Sequence, residues 1–209
     1  MTTKVSIVED DDEFREHLVS LVRGAPGFVC AGAHSAAESA LKHVPHDKPD
    51  VLVLDLELPG KSGLECIRDF KARLPKLEIL ILTICDDSKR IFQALESGAT
   101  GYLHKPPTSS LEILNAIKEI RAGGSPMSSG IARLVVRTFQ RRARTRQEVE
   151  RLSPREQEIL ELVSRGQQNG EIAGTLHISP ATVSTHLHRI YEKLHVHTRA
   201  AATAKYLQN

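Results

Sequence analysis

Apolar residues in the first 125 positions of the chain predict alternating strands and helices. Five short apolar runs, each bounded by polar or turn-forming residues, start near Val5, Phe28, Val51, Leu77 and Gly101. Between these runs, apolar residues recur every three or four positions, which is the spacing of an amphipathic helix. The third run, Val51 to Leu54, is wholly apolar, as is typical of a strand buried on both faces of a parallel sheet. We therefore expect a doubly wound α/β domain with a five-stranded parallel sheet.

Residues 151–209 carry only helical patterns. Ser153-Pro154 and Ser179-Pro180 each combine an N-cap serine with a proline suited to the first helical position. Two further helices are predicted to start near Glu171 and Thr198. The second and third helices are joined by a three-residue turn, which is the geometry of a DNA-binding helix-turn-helix. The pattern therefore predicts a small, all-α domain of four helices.

Residues 125–150 separate these two regions. Gly123-Gly124-Ser125-Pro126 interrupts the helical pattern, so the domains are expected to be 1–124 and 151–209 with a helical, basic linker at 125–150. The net charge is −4 for residues 1–125, +4 for 126–150 and +2 for 151–209. A short amphipathic helix is predicted at Ile131–Val136, followed by an arginine-rich run at 140–146. Such a run can bind nucleic acid, but we favour a solvated tether because charge runs are typically disordered.

Polar side chains stand at the ends of four predicted strands: Glu9, Asp10, Asp55, Thr83 and Lys105. The carboxyl ends of parallel strands form the crevice in which α/β sheets bind ligands. Taken alone, Asp55 also fits a surface residue that closes a strand. Together, however, three carboxylates require a hard divalent cation with oxygen ligands, and a lysine with a hydroxyl can balance the oxygens of a phosphoryl group. The set predicts phosphoryl transfer onto Asp55.

These residues, with Tyr102 and Lys105-Pro106 in the same order over residues 4–122, resemble the receiver domain of bacterial two-component response regulators. The resemblance implies a flavodoxin-like fold and phosphorylation of Asp55 by a sensor histidine kinase, with Lys105, Thr83 and Tyr102 as supporting and switch residues. It also implies bound Mg²⁺ (or Mn²⁺) and a cis peptide before Pro106. The cation would be held by Asp10, Asp55, the backbone carbonyl of Glu57, and Glu9 through a water.

The C-terminal region resembles the LuxR-type helix-turn-helix domain through residues 152–156, 171–173, 178–186 and 193–200. With the receiver, it resembles a NarL/FixJ-type regulator that binds double-stranded DNA as a homodimer on activation. The resemblance implies DNA contacts by Thr182, Ser184, Thr185, His186, His188, Arg189 and Lys193, and dimer contacts by Ala200, Ala201, Ala204 and Leu207. The family usually has basic residues where Ser184, His188, Gly170 and Gly174 stand, so weak or dimer-dependent DNA binding is expected.

Other function classes are less compatible with the sequence. No apolar run approaches the ~18 residues of a membrane helix, and no signal peptide is evident, so a cytoplasmic protein without membrane contact is expected. We expect no enzyme, because an aspartyl-phosphate enzyme needs a lid domain for which residues 1–125 have no insertion. The alternative to a transcriptional regulator is a protein-interaction or phosphate-sink switch whose helix-turn-helix binds DNA weakly or not at all.

Overall fold

The computed structural model describes residues 2–105 and 108–207, apart from the side chains of residues 142, 143, 146 and 147. The chain divides into two compact units, Met1–Val135 and Val136–Asn209. The division falls within the predicted linker. In the described ranges, no helix is both long enough and apolar enough to span a membrane. The cis peptide expected before Pro106 lies outside the described residues.

The first unit is a five-stranded sheet with helices on both faces. Its strands are β1 (Thr3–Val8), β2 (Phe28–His34), β3 (Val51–Leu54), β4 (Glu78–Thr83) and β5 (Gly101–His104). Its helices are α1 (Asp12–Gly24), α2 (Ala37–Asp47), α3 (Gly63–Arg73), α4 (Ser88–Glu96) and α5 (Ser110–Arg121). All strand pairs are parallel, in the order β2-β1-β3-β4-β5. The predicted doubly wound fold is confirmed.

Strand β3 lies at the centre of this sheet, where Val53 is in register with Ile7 of β1 and Leu80 of β4. One apolar cluster packs α2, α3 and α4 against one sheet face, and a second packs α1 and α5 against the other. Every residue of β3 is buried, which explains why its sequence is continuously apolar rather than alternating. The strand therefore delivers Asp55 to the middle of the sheet's carboxyl edge.

The linker differs from its prediction. A single helix, α6, spans Ser129–Glu150, so the solvated tether expected at residues 140–146 is wrong. Arginine, glutamine and alanine all have good helix propensity and make up six of the seven residues 140–146, and the run contains neither glycine nor proline. Burial of Thr145 and Val149 gives this part of the helix tertiary support, which an isolated charge run lacks.

The start of the linker belongs to the first unit. The amide of Tyr102 donates to the carbonyl of Pro126 at 3.0 Å, and the amide of Ser128 donates to the carbonyl of Tyr102 at 3.2 Å. These bonds satisfy main-chain groups at the edge of β5, which would otherwise need another partner. Ile131 of α6 is buried in the cluster that contains α4.

The second unit contains the four predicted helices, together with the end of α6. They are α7 (Pro154–Ser164), α8 (Asn169–Leu176), α9 (Pro180–Lys193) and α10 (Arg199–Leu207). The side chains of Ser153 and Ser179 accept hydrogen bonds from the first turns of α7 and α9, as their sequence positions predict. Val149, Ile159, Ile172, Val183 and Ala202, one from each helix, are buried in one apolar core.

Candidate phosphoryl site and nucleic-acid interface

Five of the predicted site residues come together at the carboxyl edge of the sheet. One open cleft of about 500 Å³ is lined by Glu9, Asp10, Asp55, Glu57 and Lys105. Asp55 is only 3% exposed, and its amide donates to the carbonyl of Val8 at 3.0 Å. This bond continues the β1–β3 pairing by one residue beyond the strands. The acid is therefore held by the sheet itself rather than by a flexible loop.

Lys105 connects the two buried acids of the cleft. Its Nζ lies 2.7 Å from Oδ2 of Asp55 and 2.8 Å from Oε1 of Glu9, and 4.9 Å from the ring centroid of Phe14. Burial by itself would lower the pKa of Lys105, but the hydrogen bonds that it donates to Asp55 and Glu9 outweigh burial and raise this pKa. The lysine therefore stays charged across the neutral pH range.

The acidic residues form a compact set of oxygen donors. Carboxylate oxygens of Glu9, Asp10 and Asp55 lie within 4.8 Å of one another, and no other such group of three occurs among the described residues. Burial raises the pKa of Glu9, and this effect exceeds the opposing effect of Lys105. Like charges so close together are costly unless a cation offsets them. The set suits a small, hard cation that prefers oxygen ligands.

Glu57 takes part in the site in a way that the sequence did not reveal. Its amide donates to Oδ1 of Asp55 at 3.0 Å, while its carboxylate forms an ion pair with Arg90 of α4. Both oxygens of Asp55 thus accept a hydrogen bond, one from an amide and one from Lys105. Arg90 and Phe14 were missed because nothing in the spacing of the sequence connects them to Asp55.

The two predicted switch residues are fully buried. The hydroxyl of Thr83 accepts a hydrogen bond from the amide of Cys85 at 3.3 Å, and the hydroxyl of Tyr102 donates to the carbonyl of Cys85 at 3.0 Å. Burial raises the pKa of Tyr102 well above its ordinary value. Ile84 is 60% exposed, so its side chain does not fill the space that Tyr102 occupies.

The second unit presents most of the predicted DNA-contacting residues to solvent. Thr182, Ser184, Thr185, His188, Arg189 and Lys193 are exposed on α9, and His186 is half-buried. Two of the hydroxyl groups already have partners within the unit. Ser184 donates to the carbonyl of Pro180 at 3.1 Å and accepts from Asn169 at 3.2 Å, while Thr185 donates to the carbonyl of Ala181 at 3.0 Å. These hydroxyls must rotate before they can donate to a base.

Lys193 lies in a different environment from the one predicted. Its Nζ lies 2.7 Å from Oε2 of Glu156, whose side chain is buried and also accepts from the amide of Ser153 at 2.7 Å. Burial alone would raise the pKa of Glu156, but Lys193 and Ser153 outweigh burial and lower it. Lys193 is therefore the counterion of a buried acid as well as a surface cation.

The predicted dimer contacts lie on the outer side of α10. Ala200, Ala204 and Leu207 are exposed and Ala201 is half-buried. By contrast, Ala202 is fully buried and Tyr206 packs against the core of the unit. The helix therefore uses one face to join its own unit and leaves another apolar face open.

Comparison with known proteins identifies a family for each unit. The response regulator receiver domain matches residues 5–118, and the luxR family of bacterial regulatory proteins matches residues 150–205. Together these matches cover most of the chain.

One relative is the DNA-binding transcriptional activator DevR/DosR of Mycobacterium tuberculosis, 31% identical over 95% of this chain and 91% of its own. A solved two-component response regulator of the LuxR family from Aurantimonas sp. is 31% identical, with a TM-score of 0.62 over 66% of this chain and 97% of that chain. RcsB from Salmonella enterica serovar Typhimurium, bound to a promoter, shares the fold with a TM-score of 0.61 at 21% identity, over 100% and 99% of the chains. The chain therefore belongs to the two-component response regulators of the NarL/FixJ type, in which a receiver domain is joined to a LuxR-type helix-turn-helix domain.

Proposed function

We propose that this response regulator accepts a phosphoryl group on Asp55 from a sensor histidine kinase and then binds DNA to regulate transcription. The observation that carries the proposal is the pairing of Asp55 with Lys105 at 2.7 Å in an open acidic cleft. A buried acid with a lysine and no route to solvent would be structural. Here the acid opens to a cleft of about 500 Å³, which is large enough to admit a phosphoryl group.

The transfer requires an in-line attack by one oxygen of Asp55 on the phosphorus of a phosphohistidine. The new P–O bond forms as the P–N bond breaks, and the electron pair of that bond returns to the imidazole. Lys105 is charged and close enough to shift from the carboxylate to the phosphoryl oxygens as they arrive, which is the electrostatic stabilisation that such transfers need. Thr83 and Tyr102 are proposed to read the resulting acyl phosphate, since both bond to the segment at Cys85.

The acidic cluster is proposed to hold Mg²⁺ (or Mn²⁺). Asp10, Asp55 and the backbone carbonyl of Glu57 would be the protein ligands, and Glu9 would act through a water. When bound, the cation supplies positive charge that offsets the carboxylates and the incoming phosphate. Asp10 is the best single test of this assignment, because it is exposed and makes no hydrogen bond through its carboxylate to Lys105. Asp10→Asn should raise the Mg²⁺ concentration needed for half-maximal phosphorylation while leaving the fold intact.

Labelling tests the assignment of Asp55. The purified chain is incubated with radiolabelled phosphoramidate, a small donor whose P–N bond resembles that of phosphohistidine, and incorporated phosphate is counted. Asp55→Asn should abolish incorporation, whereas Asp86→Asn, which changes an exposed aspartate outside the cleft, should leave it unchanged. Full labelling of the Asp55→Asn variant would contradict the proposal.

The DNA-binding part of the proposal is supported by the exposed amino-terminal half of α9 and by the relative DevR/DosR, which is described as a DNA-binding transcriptional activator. Dimerisation on activation is proposed to use Ala200, Ala201, Ala204 and Leu207 of α10. Leu207 is 70% exposed and belongs to the open apolar face of α10, which a second copy of the chain would cover in the proposed dimer. Two half-sites about one turn of DNA apart would then be the target.

A second candidate is a phosphate-sink or protein-interaction switch with little or no DNA binding. The pairing of Lys193 with buried Glu156 favours it, because one cation of the recognition helix already neutralises an acid of its own unit. Electrophoretic binding to a pool of random duplexes, with and without the phosphoryl donor, separates the two candidates. Binding that increases with phosphorylation supports the regulator, whereas phosphorylation without binding in either state supports the switch.

A further inference from the structure

Half of the arginine and lysine side chains described in the second unit already have partners. These five contact acids or carbonyl oxygens within the unit: Arg155, Arg165, Lys193, Arg199 and Lys205. Binding a phosphate with any of these residues would weaken an existing contact. Among the described side chains of this unit, the cations without a charged or hydrogen-bonded partner are Arg137, Arg141, Arg144, Arg151 and Arg189.

Three of these five unpaired cations lie together on α6. Arg137, Arg141 and Arg144 are separated by four and three residues, so at about 100° per residue they fall within about 60° of one another around the helix. With a rise of about 1.5 Å per residue, they extend over about 10 Å. All three are exposed. We call these three residues the arginine stripe.

The arginine stripe is held by the fold rather than carried on a flexible tether. Thr145 and Val149, farther along the same helix, are buried, and Val149 belongs to the core that contains α7, α8, α9 and α10. Glu148, which lies on the same side of the helix as the stripe, forms an ion pair with Lys205 of α10. This acid therefore has a partner other than the three arginines.

We propose that the arginine stripe binds the phosphate backbone of DNA. B-DNA carries one charge per about 1.7 Å of helix axis, so a length of about 10 Å presents about six phosphates. Guanidinium groups bind phosphate oxygens through two parallel N–H donors, which a solvated lysine cannot do. The stripe adds sequence-independent attraction to that of Arg189, the unpaired cation of α9, while exposed residues of α9 read the bases.

This proposal rests on the DNA binding proposed above and predicts where its salt dependence originates. For duplex DNA, the slope of log K against log salt concentration is about −0.9 for each phosphate contacted. Loss of three contacts should therefore make the slope shallower by about 2.7. At about 0.1 M salt, the same relation corresponds to a loss of affinity of about 500-fold.

The experiment uses the full chain, phosphorylated, and a fluorescent 30-base-pair duplex of mixed sequence, with anisotropy measured from about 50 to 200 mM KCl. The test variant is Arg137→Gln, Arg141→Gln and Arg144→Gln combined. A second variant replaces the same three residues with lysine, which keeps the charge. The matched control is Arg165→Gln, because Arg165, the C-cap of α7, is also an exposed arginine of this unit but is paired with Glu161 at 2.6 Å.

The glutamine variant should lose about 2.7 in slope, the lysine variant should retain most of the slope, and the control should match the wild type. A wild-type slope in the glutamine variant would overturn the proposal. Equal losses in the glutamine and lysine variants would also overturn it, since the effect would then be structural rather than electrostatic. Absence of DNA binding by the wild-type chain would instead contradict the proposed function.

Discussion

Gly170 and Gly174 offer a direct test of how α8 affects stability and DNA binding. Both lie inside α8 on exposed positions, and a Cβ added at either would meet nothing within 4 Å. Neither has a positive φ, so no backbone conformation requires glycine there. Glycine in a helix costs about 1 kcal/mol relative to alanine. Replacing both with alanine should therefore stabilise the second unit by about 2 kcal/mol.

This gain is large enough to measure by calorimetry. For a domain of about 60–100 residues, each kcal/mol shifts the melting temperature by about 4–8 °C, so the transition of the second unit should rise by about 8–16 °C. A second variant, Gly170→Lys with Gly174→Arg, has a similar helix propensity and adds two cations. If α8 faces DNA, the slope of log K against log salt concentration for this lysine–arginine variant should be steeper by about 1.8 than that for the alanine variant.

The comparison of the two variants separates stability from charge. An unchanged melting temperature in the alanine variant would refute the argument that these glycines only weaken the helix. Equal salt dependence in the alanine and lysine–arginine variants would show that α8 does not approach phosphates. Either variant should leave labelling of Asp55 unchanged, because neither position lies in the first unit.

Three further substitutions test contacts elsewhere. Ile131→Ala, at a buried position of α6, should lower the free energy of urea unfolding by about 2–4 kcal/mol. Val136→Ala on the same helix, at a position 54% exposed, should lower it by under about 0.5 kcal/mol. Similar losses in the two variants would contradict the burial of Ile131. Tyr102→Phe removes the hydrogen bond to the carbonyl of Cys85. It should lower the free energy of unfolding by about 1–3 kcal/mol, because a buried acceptor loses its donor. An unchanged free energy of unfolding would show that this bond contributes little. The pKa of Glu156 is lowered in the fold, so this carboxylate contributes stability that is present above its unfolded pKa and is lost as pH falls through its folded pKa. Glu156→Gln should therefore lose less stability than the wild type between neutral and acid pH. Parallel curves of stability against pH for the two proteins would contradict this.

The two assignments of Asp55 and of the arginine stripe are independent in their tests. Phosphate labelling reports on the cleft of the first unit, while the salt dependence of DNA binding reports on side chains of the second. A chain that is labelled on Asp55 but binds no DNA would support the proposed phosphorylation and contradict the proposed DNA binding. A chain that binds DNA only when phosphorylated would support the proposed regulator, and the arginine variants would then decide whether the electrostatic attraction arises at the stripe.

Hydrophobic periodicity alone determined the strands and helices of both units, because burial on a sheet face or a helix stripe fixes which positions must be apolar. The carboxyl-edge rule for parallel strands also brought Glu9, Asp55 and Lys105 to one cleft before any distance was known. These predictions succeeded because they depend on residues whose neighbours are set by the direction of the strands. The linker prediction failed where local charge was weighed above helix propensity and the burial of Thr145 and Val149.

Only the tertiary structure decided which side chains are free to act. The sequence shows cations and acids but not their pairs, and Glu57 with Arg90 or Glu156 with Lys193 meet across 33 and 37 residues of chain. Such pairs depend on where long side chains end after packing, which no periodicity encodes. The sequence thus placed Asp55 among the polar strand ends of a predicted phosphoryl site. The fold decided that three of the five unpaired cations of the second unit lie on α6, because five of its other cations are bound within the unit.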